Sequence, residues 1–217
     1  TKNNMGSYGG PDIVQDGLTF AIDAGSTRSY PGSGTAVTDL VGTNNGTLTN
    51  DVGFSSGNGG AFTFDGVDQY ISQFSGDSPA GSFSISSWVY KEGTSGWYAI
   101  FSQSTQIWFG LNNNGRILAH VGGPIIQVTG AVDINKWHQC VLTYDGTTGR
   151  IYVDGTQVVS GTNLSDPAVE EFDIGRLSTG GQNFFYGEIS QLLLYDGKAL
   201  TTAEITQNYN AQKNRFI

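Results

Sequence analysis

The chain has 217 residues, 37% hydrophobic and 12% aromatic, enough for a sizeable core in one large all-β domain or two small ones. A net charge of −9 argues against a nucleic-acid backbone as partner, which needs a basic face, and against docking on anionic lipid. One cysteine and two histidines exclude an internal disulfide and make a zinc cluster implausible, and no apolar run approaches the ~18–20 residues of a membrane span.

Residues 1–16 are polar and Gly-rich and read as an extended arm before a single domain over residues 17–217. Their first ten, TKNNMGSYGG, hold no apolar run of the kind a secretion signal has. Residues 18–23 alternate as a first strand does. A loop at 29–34 leads to the run 37–41, and 44–47 is a turn. The runs 61–64 and 69–71 flank Asp65-Gly66 and predict a hairpin. Residues 82–90 form a long strand, with Phe83, Ile85 and Val89 near one face and Trp88 and Tyr90 on the other. Short strands follow at 97–102, 106–111, 116–121 and 125–128, separated by turns that include Asn112-Asn113-Asn114-Gly115.

The clearest signal lies in residues 137–158. Two β-prone runs flank Asp145-Gly146-Thr147-Thr148-Gly149, and a second turn, Asp154-Gly155, leads into a third run. Glycine takes the positive φ that tight hairpin turns need, so three antiparallel strands are expected. Within the second, Ile151 and Val153 point one way and Tyr152 the other. Cys140 reads as a small buried hydrophobe and His138 as a structural hydrogen-bonding residue. A loop at 163–169, a strand at 171–175, a Gly-rich loop at 178–182 and a long strand at 184–195 complete the β region. Thr201 with Glu204 is a capping box for a helix over about 202–214, with Ile205 and Tyr209 on one face. About a dozen short strands and one short C-terminal helix predict an all-β, antiparallel, two-sheet jelly-roll sandwich.

Trp137-His138-x-x-Val141-x-Thr143-Tyr144-Asp145-Gly146, followed by Ile151-Tyr152-Val153-Asp154-Gly155, resembles the centre of the concanavalin A-like lectin/glucanase superfamily, closest to its laminin-G-like and pentraxin-like branch. Phe64-Asp65-Gly66, Phe83-Ser84-Ile85, Ile174-Gly175-Arg176 and Tyr195-Asp196-Gly197 open further stretches that agree in order, so the resemblance covers about residues 17–210. It implies a concanavalin A-like, laminin G-like sandwich. The opening Gly17-Leu18-x-Phe20-x-Ile22-Asp23-Ala24-Gly25 and the later Tyr30-Pro31-Gly32 are similar to laminin-G-like proteins encoded by tailed bacteriophages. That resemblance implies a non-enzymatic decoration, fibre or tail-associated protein on the virion surface. Its partners would be other virion proteins, engaged through the N-terminal arm, together with host or environmental polysaccharide. A homo-oligomer is left open. A free carbohydrate-binding lectin or adhesin module is the alternative, and a β-glucanase is the third reading.

The glucanases of this superfamily carry E-x-D-x-x-E on one strand. Here Glu171-Phe172-Asp173 is followed by Ile174-Gly175-Arg176, so the third acid is missing and no catalytic set is assigned. Many relatives bind Ca²⁺ through oxygen ligands, and Asp65 with Asp68 is the nearest local pair; the competing reading makes both turn formers. Saccharide sites combine an aromatic platform with amide or carboxylate partners. Three groups fit that chemistry: Trp97 and Tyr98 beside the 93–96 loop, Trp108 near Asn112 and Asn113, and Phe184, Phe185 and Tyr186 beside Gln182 and Asn183. The competing reading for every aromatic is sandwich core, and it is preferred for Trp88 and Trp137.

Overall fold

The computed structural model describes residues 12–74, 79–93, 96–104, 106–168 and 170–217. The first part of the chain supplies β1 (Leu18–Asp23), β2 (Ala36–Val37), β3 (Gly46–Thr49), β4 (Gly53–Ser55), β5 (Ala61–Asp65) and β6 (Tyr70–Phe74). The middle supplies β7 (Phe83–Lys91), β8 (Trp97–Gln103), β9 (Ile107–Asn112), β10 (Ile117–Val121) and β11 (Ile126–Val128). The last part supplies β12 (Trp137–Tyr144), β13 (Gly149–Val153), β14 (Thr156–Gly161), β15 (Phe172–Ile174), β16 (Tyr186–Asp196) and the helix α1 (Thr202–Gln212).

Two antiparallel sheets result. The back sheet runs β14-β13-β12-β7-β16-β5-β4, and β16 is long enough to pair with β5 through its first half and with β1 through its second. The front sheet runs β11-β10-β9-β8-β15-β6-β3-β2. The three strands expected at 137–158 are β12, β13 and β14, and their faces fall as the two-residue period requires. Ile151 and Val153 join the core between the sheets, while Tyr152 joins a second cluster on the outer face of the back sheet. Cys140 lies in the inter-sheet core, and its burial pushes the thiol up. His138 Nε2 accepts the Asp133 backbone N–H at 3.2 Å, which leaves Nδ1–H to donate to Asp154 Oδ2 at 2.7 Å.

The outer face of the back sheet is covered. Ile205, Asn208 and Ala211 form the buried side of α1, whose capping box at Thr201 and Glu204 is present as expected. Ile205 is fully buried and contributes about 2 kcal/mol by leaving water. Residues 12–16 were expected in a free arm, of which 1–11 lie outside the described residues. Ile13 and Val14 are instead buried beside Leu193 and Ile205. Asn208 accepts the Val14 N–H at 2.8 Å, and Tyr195 donates its hydroxyl to the Val14 carbonyl at 3.0 Å. Trp88 and Trp137 are buried but lie outside the inter-sheet core. With Ala61 and Phe216 they make a third cluster on this outer face, where the Trp88 and Phe216 rings stack at 4.3 Å.

The hairpin expected across Asp65-Gly66 does not form, because β5 belongs to the back sheet and β6 to the front one. The turn chemistry is present and reverses the chain, yet each strand finds its partners elsewhere: β5 pairs β16 and β4, and β6 pairs β3 and β15. The run at 37–41 contributes only its first residue to β2, because Asp39 leaves the strand. Its buried carboxylate accepts the backbone N–H groups of Ala21, Val41, Gly42 and Asn44. Part of the turn expected at 44–47 is the start of β3.

Candidate functional site

The outer face of the front sheet is where side chains meet solvent, and among the described residues no helix or strand packs on it. Alternation decides which aromatics it receives. Trp97, the first residue of β8, is 39% exposed, whereas Tyr98 turns inward and is 5% exposed. Tyr98 is therefore core and is withdrawn as a ligand contact. Phe185 is withdrawn for the same reason: it is fully buried, edge-on to Phe64 at 6.0 Å and to Tyr98 at 6.3 Å.

Trp97 and Trp108 come together on this face, ring centroids 5.5 Å apart and planes inclined by 52°. Gly110 makes this possible, since a Cβ there would lie 3.0 Å from Trp108 Nε1. Asn112 stands opposite Trp97 in the β8–β9 register but is buried, and its Oδ1 accepts the Asn114 N–H at 3.2 Å. It closes a turn rather than facing ligand. Asn113 is exposed in that turn. Phe184 is half-buried at 6.4 Å from the Tyr70 ring, and Tyr186 is 39% exposed across Gly66 and Gly93. Residues 94–95 of the expected 93–96 loop lie outside the described residues.

The Asp65 carboxylate helps to close its turn. Asp65 Oδ1 accepts the Val67 N–H at 2.8 Å, the Asp65 N–H reaches Gln69 Oε1 at 2.9 Å, and the Asp68 carbonyl accepts from Asn50 Nδ2 at 2.9 Å. Among the described residues no three His, Cys, Asp or Glu side chains converge as metal ligands would.

A concavity on the face lies elsewhere, a cleft of about 590 Å³. Its floor is Tyr70 and Ser72 of β6 with Asp173 of β15, and Glu170, Glu171, Ser104 and the 176–179 loop rise around it. Arg176 is the central group. Its guanidinium lies 3.5 Å over the Tyr70 ring, and its Nε donates to Asp173 Oδ2 at 2.9 Å. Burial raises the Asp173 carboxyl above the usual range, and Arg176 opposes that shift. Ser102 holds the loop down: its Oγ donates to the Arg176 carbonyl at 2.9 Å and accepts the Ser178 N–H at 2.8 Å. Ser102 stands opposite Trp108 on one side and Asp173 on the other. The loop therefore forms a ridge between the tryptophan pair and the cleft. The sequence reading missed Tyr70, Ser72 and Arg176 as site residues. Its one signal was Glu171-x-Asp173, read only as an incomplete acid pattern.

The sequence family described as the Concanavalin A-like lectin/glucanases superfamily matches residues 64–206. No curated protein is significantly similar in sequence. Among solved structures, domain 4 of AbnA, an extracellular arabinanase of Geobacillus stearothermophilus in complex with arabinotriose, is 21% identical at a TM-score of 0.66, over 88% of this chain and 98% of that one. The receptor binding domain of botulinum neurotoxin type G is 18% identical at 0.65, over 88% of this chain and 50% of its own. Trypanosoma rangeli sialidase is 16% identical at 0.71, over 95% of this chain but only 35% of the enzyme. At these identities the likeness is one of fold.

Proposed function

Since the chain belongs to the concanavalin A-like lectin/glucanases superfamily, we propose that it is a glycan-binding module that does not hydrolyse its ligand, with its site on the outer face of the front sheet. One observation carries this reading: the Tyr70–Arg176 stack at the floor of a 590 Å³ cleft ringed by hydroxyls and carboxylates. Such a cleft offers a sugar an apolar surface together with donors and acceptors for its hydroxyls. The tryptophan pair across the ridge supplies a second platform. The complex of the arabinanase domain with arabinotriose supports the same use of the fold. A lack of hydrolysis is expected because Arg176 occupies the place of a third acid and pairs with Asp173.

A glycan array followed by titration of the hits tests the proposal. Tyr70→Ala is expected to weaken binding about tenfold, the scale of a lost aromatic platform. A blank array, or hits bound equally by Tyr70→Ala and Trp97→Ala, refutes it. Turnover of β-glucans that disappears in Glu171→Gln refutes the non-enzymatic part.

The similarity of the opening segment to phage-encoded laminin-G-like proteins supports a place on a virion, with neighbouring virion proteins bound through the residues before Asp12. Removing residues 1–11 should abolish particle association and leave the melting temperature unchanged, because Ile13 and Val14 stay in place. Full occupancy by the shortened chain would refute the anchoring role.

A further inference from the structure

The cleft carries a charge pattern that narrows its ligand. Among the described residues, Glu170, Glu171 and Asp173 face it together with one cation, Arg176. That cation is already committed, its Nε to Asp173 Oδ2 and its face to Tyr70. Asp173 is 6% exposed, and among the described residues only Arg176 bonds its carboxylate, through Oδ2. The other Asp173 carboxylate oxygen thus takes no hydrogen bond among the described residues, on a side chain that lines the cleft, and it can accept a charged donor. Glu171 is exposed just before β15 and lines the cleft with Asp173. Among the described residues the cleft is thus lined by more carboxylates than cations, within a chain of net charge −9.

We infer that the cleft sorts saccharides by charge, holding the protonated amine of an amino sugar between Glu171 and Asp173 and turning away carboxylated or sulfated glycans. Ser72, Ser104 and Ser178 line the remaining wall and take hydroxyl groups, which suits a saccharide better than a simple amine. A carboxylate placed over Tyr70 would meet Arg176, but it would also face Glu171, and among the described lining residues no second cation offsets the repulsion.

This inference rests on the glycan-binding reading, and the two fail differently. The experiment titrates the full chain at mildly acidic pH and low salt with matched glucose, glucosamine and glucuronate oligomers. The amine form should bind about fivefold more tightly than the neutral form, the scale of an exposed ion pair. The carboxylated form should bind more weakly than either, and added salt should shrink the differences. Glu171→Gln should reduce the amine preference, whereas Asp12→Asn, an equal change of charge on an exposed residue behind the back sheet, should leave it intact. Equal binding of all three oligomers, or a preference that Glu171→Gln and Asp12→Asn alter alike, overturns charge sorting while glycan binding stands. No binding of these or of any arrayed glycan overturns the glycan reading and this inference with it.

Discussion

Arg215 ties three segments of the chain together, and its removal tests how the sandwich is closed. It follows α1 in a short 3-10 turn, and its Nη1 reaches both oxygens of Asp23 at 2.8 and 2.9 Å. Its Nε donates to the Asn58 carbonyl at 2.7 Å, and its Nη2 donates to the Gly60 carbonyl at 2.8 Å and to Ser190 Oγ at 2.6 Å. One side chain thus joins the end of β1, the 57–60 turn and β16. The space exists because glycines line it: a Cβ on Gly25 would lie 1.9 Å from the Gly59 carbonyl and 2.5 Å from Arg215 Nη2. The side chains of the ion pair are 12% and 21% exposed. Removing one partner of a buried pair costs about 3–5 kcal/mol, and this residual exposure places Arg215→Ala at about 3 kcal/mol. For a domain of this size that is a fall of about 6–12 °C in melting temperature. Arg215→Lys keeps the charge and loses the planar fork, so it should recover less than half of the deficit. Melts followed by circular dichroism decide. A shift below about 2 °C in Arg215→Ala, or a lysine variant equal to the parent, would refute the account.

Three other outcomes are expected. Phe216→Ala opens the aromatic cluster in which Phe216 lies 4.3 Å from Trp88 and 4.9 Å from Trp137. It should cost about 3 kcal/mol and change tryptophan emission; an unaltered spectrum would contradict the stacking. Burial and the Asp166 carboxylate push the Tyr144 hydroxyl up to about 12. The folded chain then keeps a proton that the unfolded chain releases from about pH 10. Stability should be full below about pH 10 and fall as the pH rises toward 12, with a shallower fall in Tyr144→Phe; identical alkaline profiles would count against this. The Asp65 turn is closed by its own hydrogen bonds, so melting temperatures in calcium and in a chelator should coincide. A higher value in calcium would make Asp65 and Asp68 ligands.

Local patterns were legible in the sequence wherever a local cause suffices. Asp-Gly turns and the two-residue period place β12, β13 and β14, and the Thr201–Glu204 box places the start of α1. Which strands pair across the chain is not a local property. The Asp65-Gly66 reversal looks the same whether its flanks form a hairpin or pass between sheets. Trp88 shows a buried tryptophan's context, but only the return of the C-terminal segment decides that it is buried under Phe216 rather than between the sheets. The cleft was hidden for the same reason. Tyr70 and Arg176 are brought together by the pairing of β6 with β15, about a hundred residues apart, a contact that no turn signal announces.

The incomplete acid pattern shows what such pairing adds to a motif. Alternate side chains share a face of a strand, so a third acid three positions after Asp173 joins it only if the strand continues through a bulge. Here β15 ends at Ile174, and Gly175 takes φ +85° with the Phe64 ring 2.8 Å from where a Cβ would sit. No other residue fits that turn without displacing Phe64 from the core. The chain therefore folds back at Gly175, and residue 176 returns to Asp173 instead of advancing along the sheet. Replacing Arg176 with glutamate would not complete a row of acids. It would set a carboxylate against the Asp173 carboxylate over the Tyr70 ring, where burial already raises the Asp173 carboxyl. The geometry that removes the third acid from the strand is the same geometry that builds the Tyr70–Arg176–Asp173 floor, so the departure from the glucanase pattern and the binding cleft have a single structural cause.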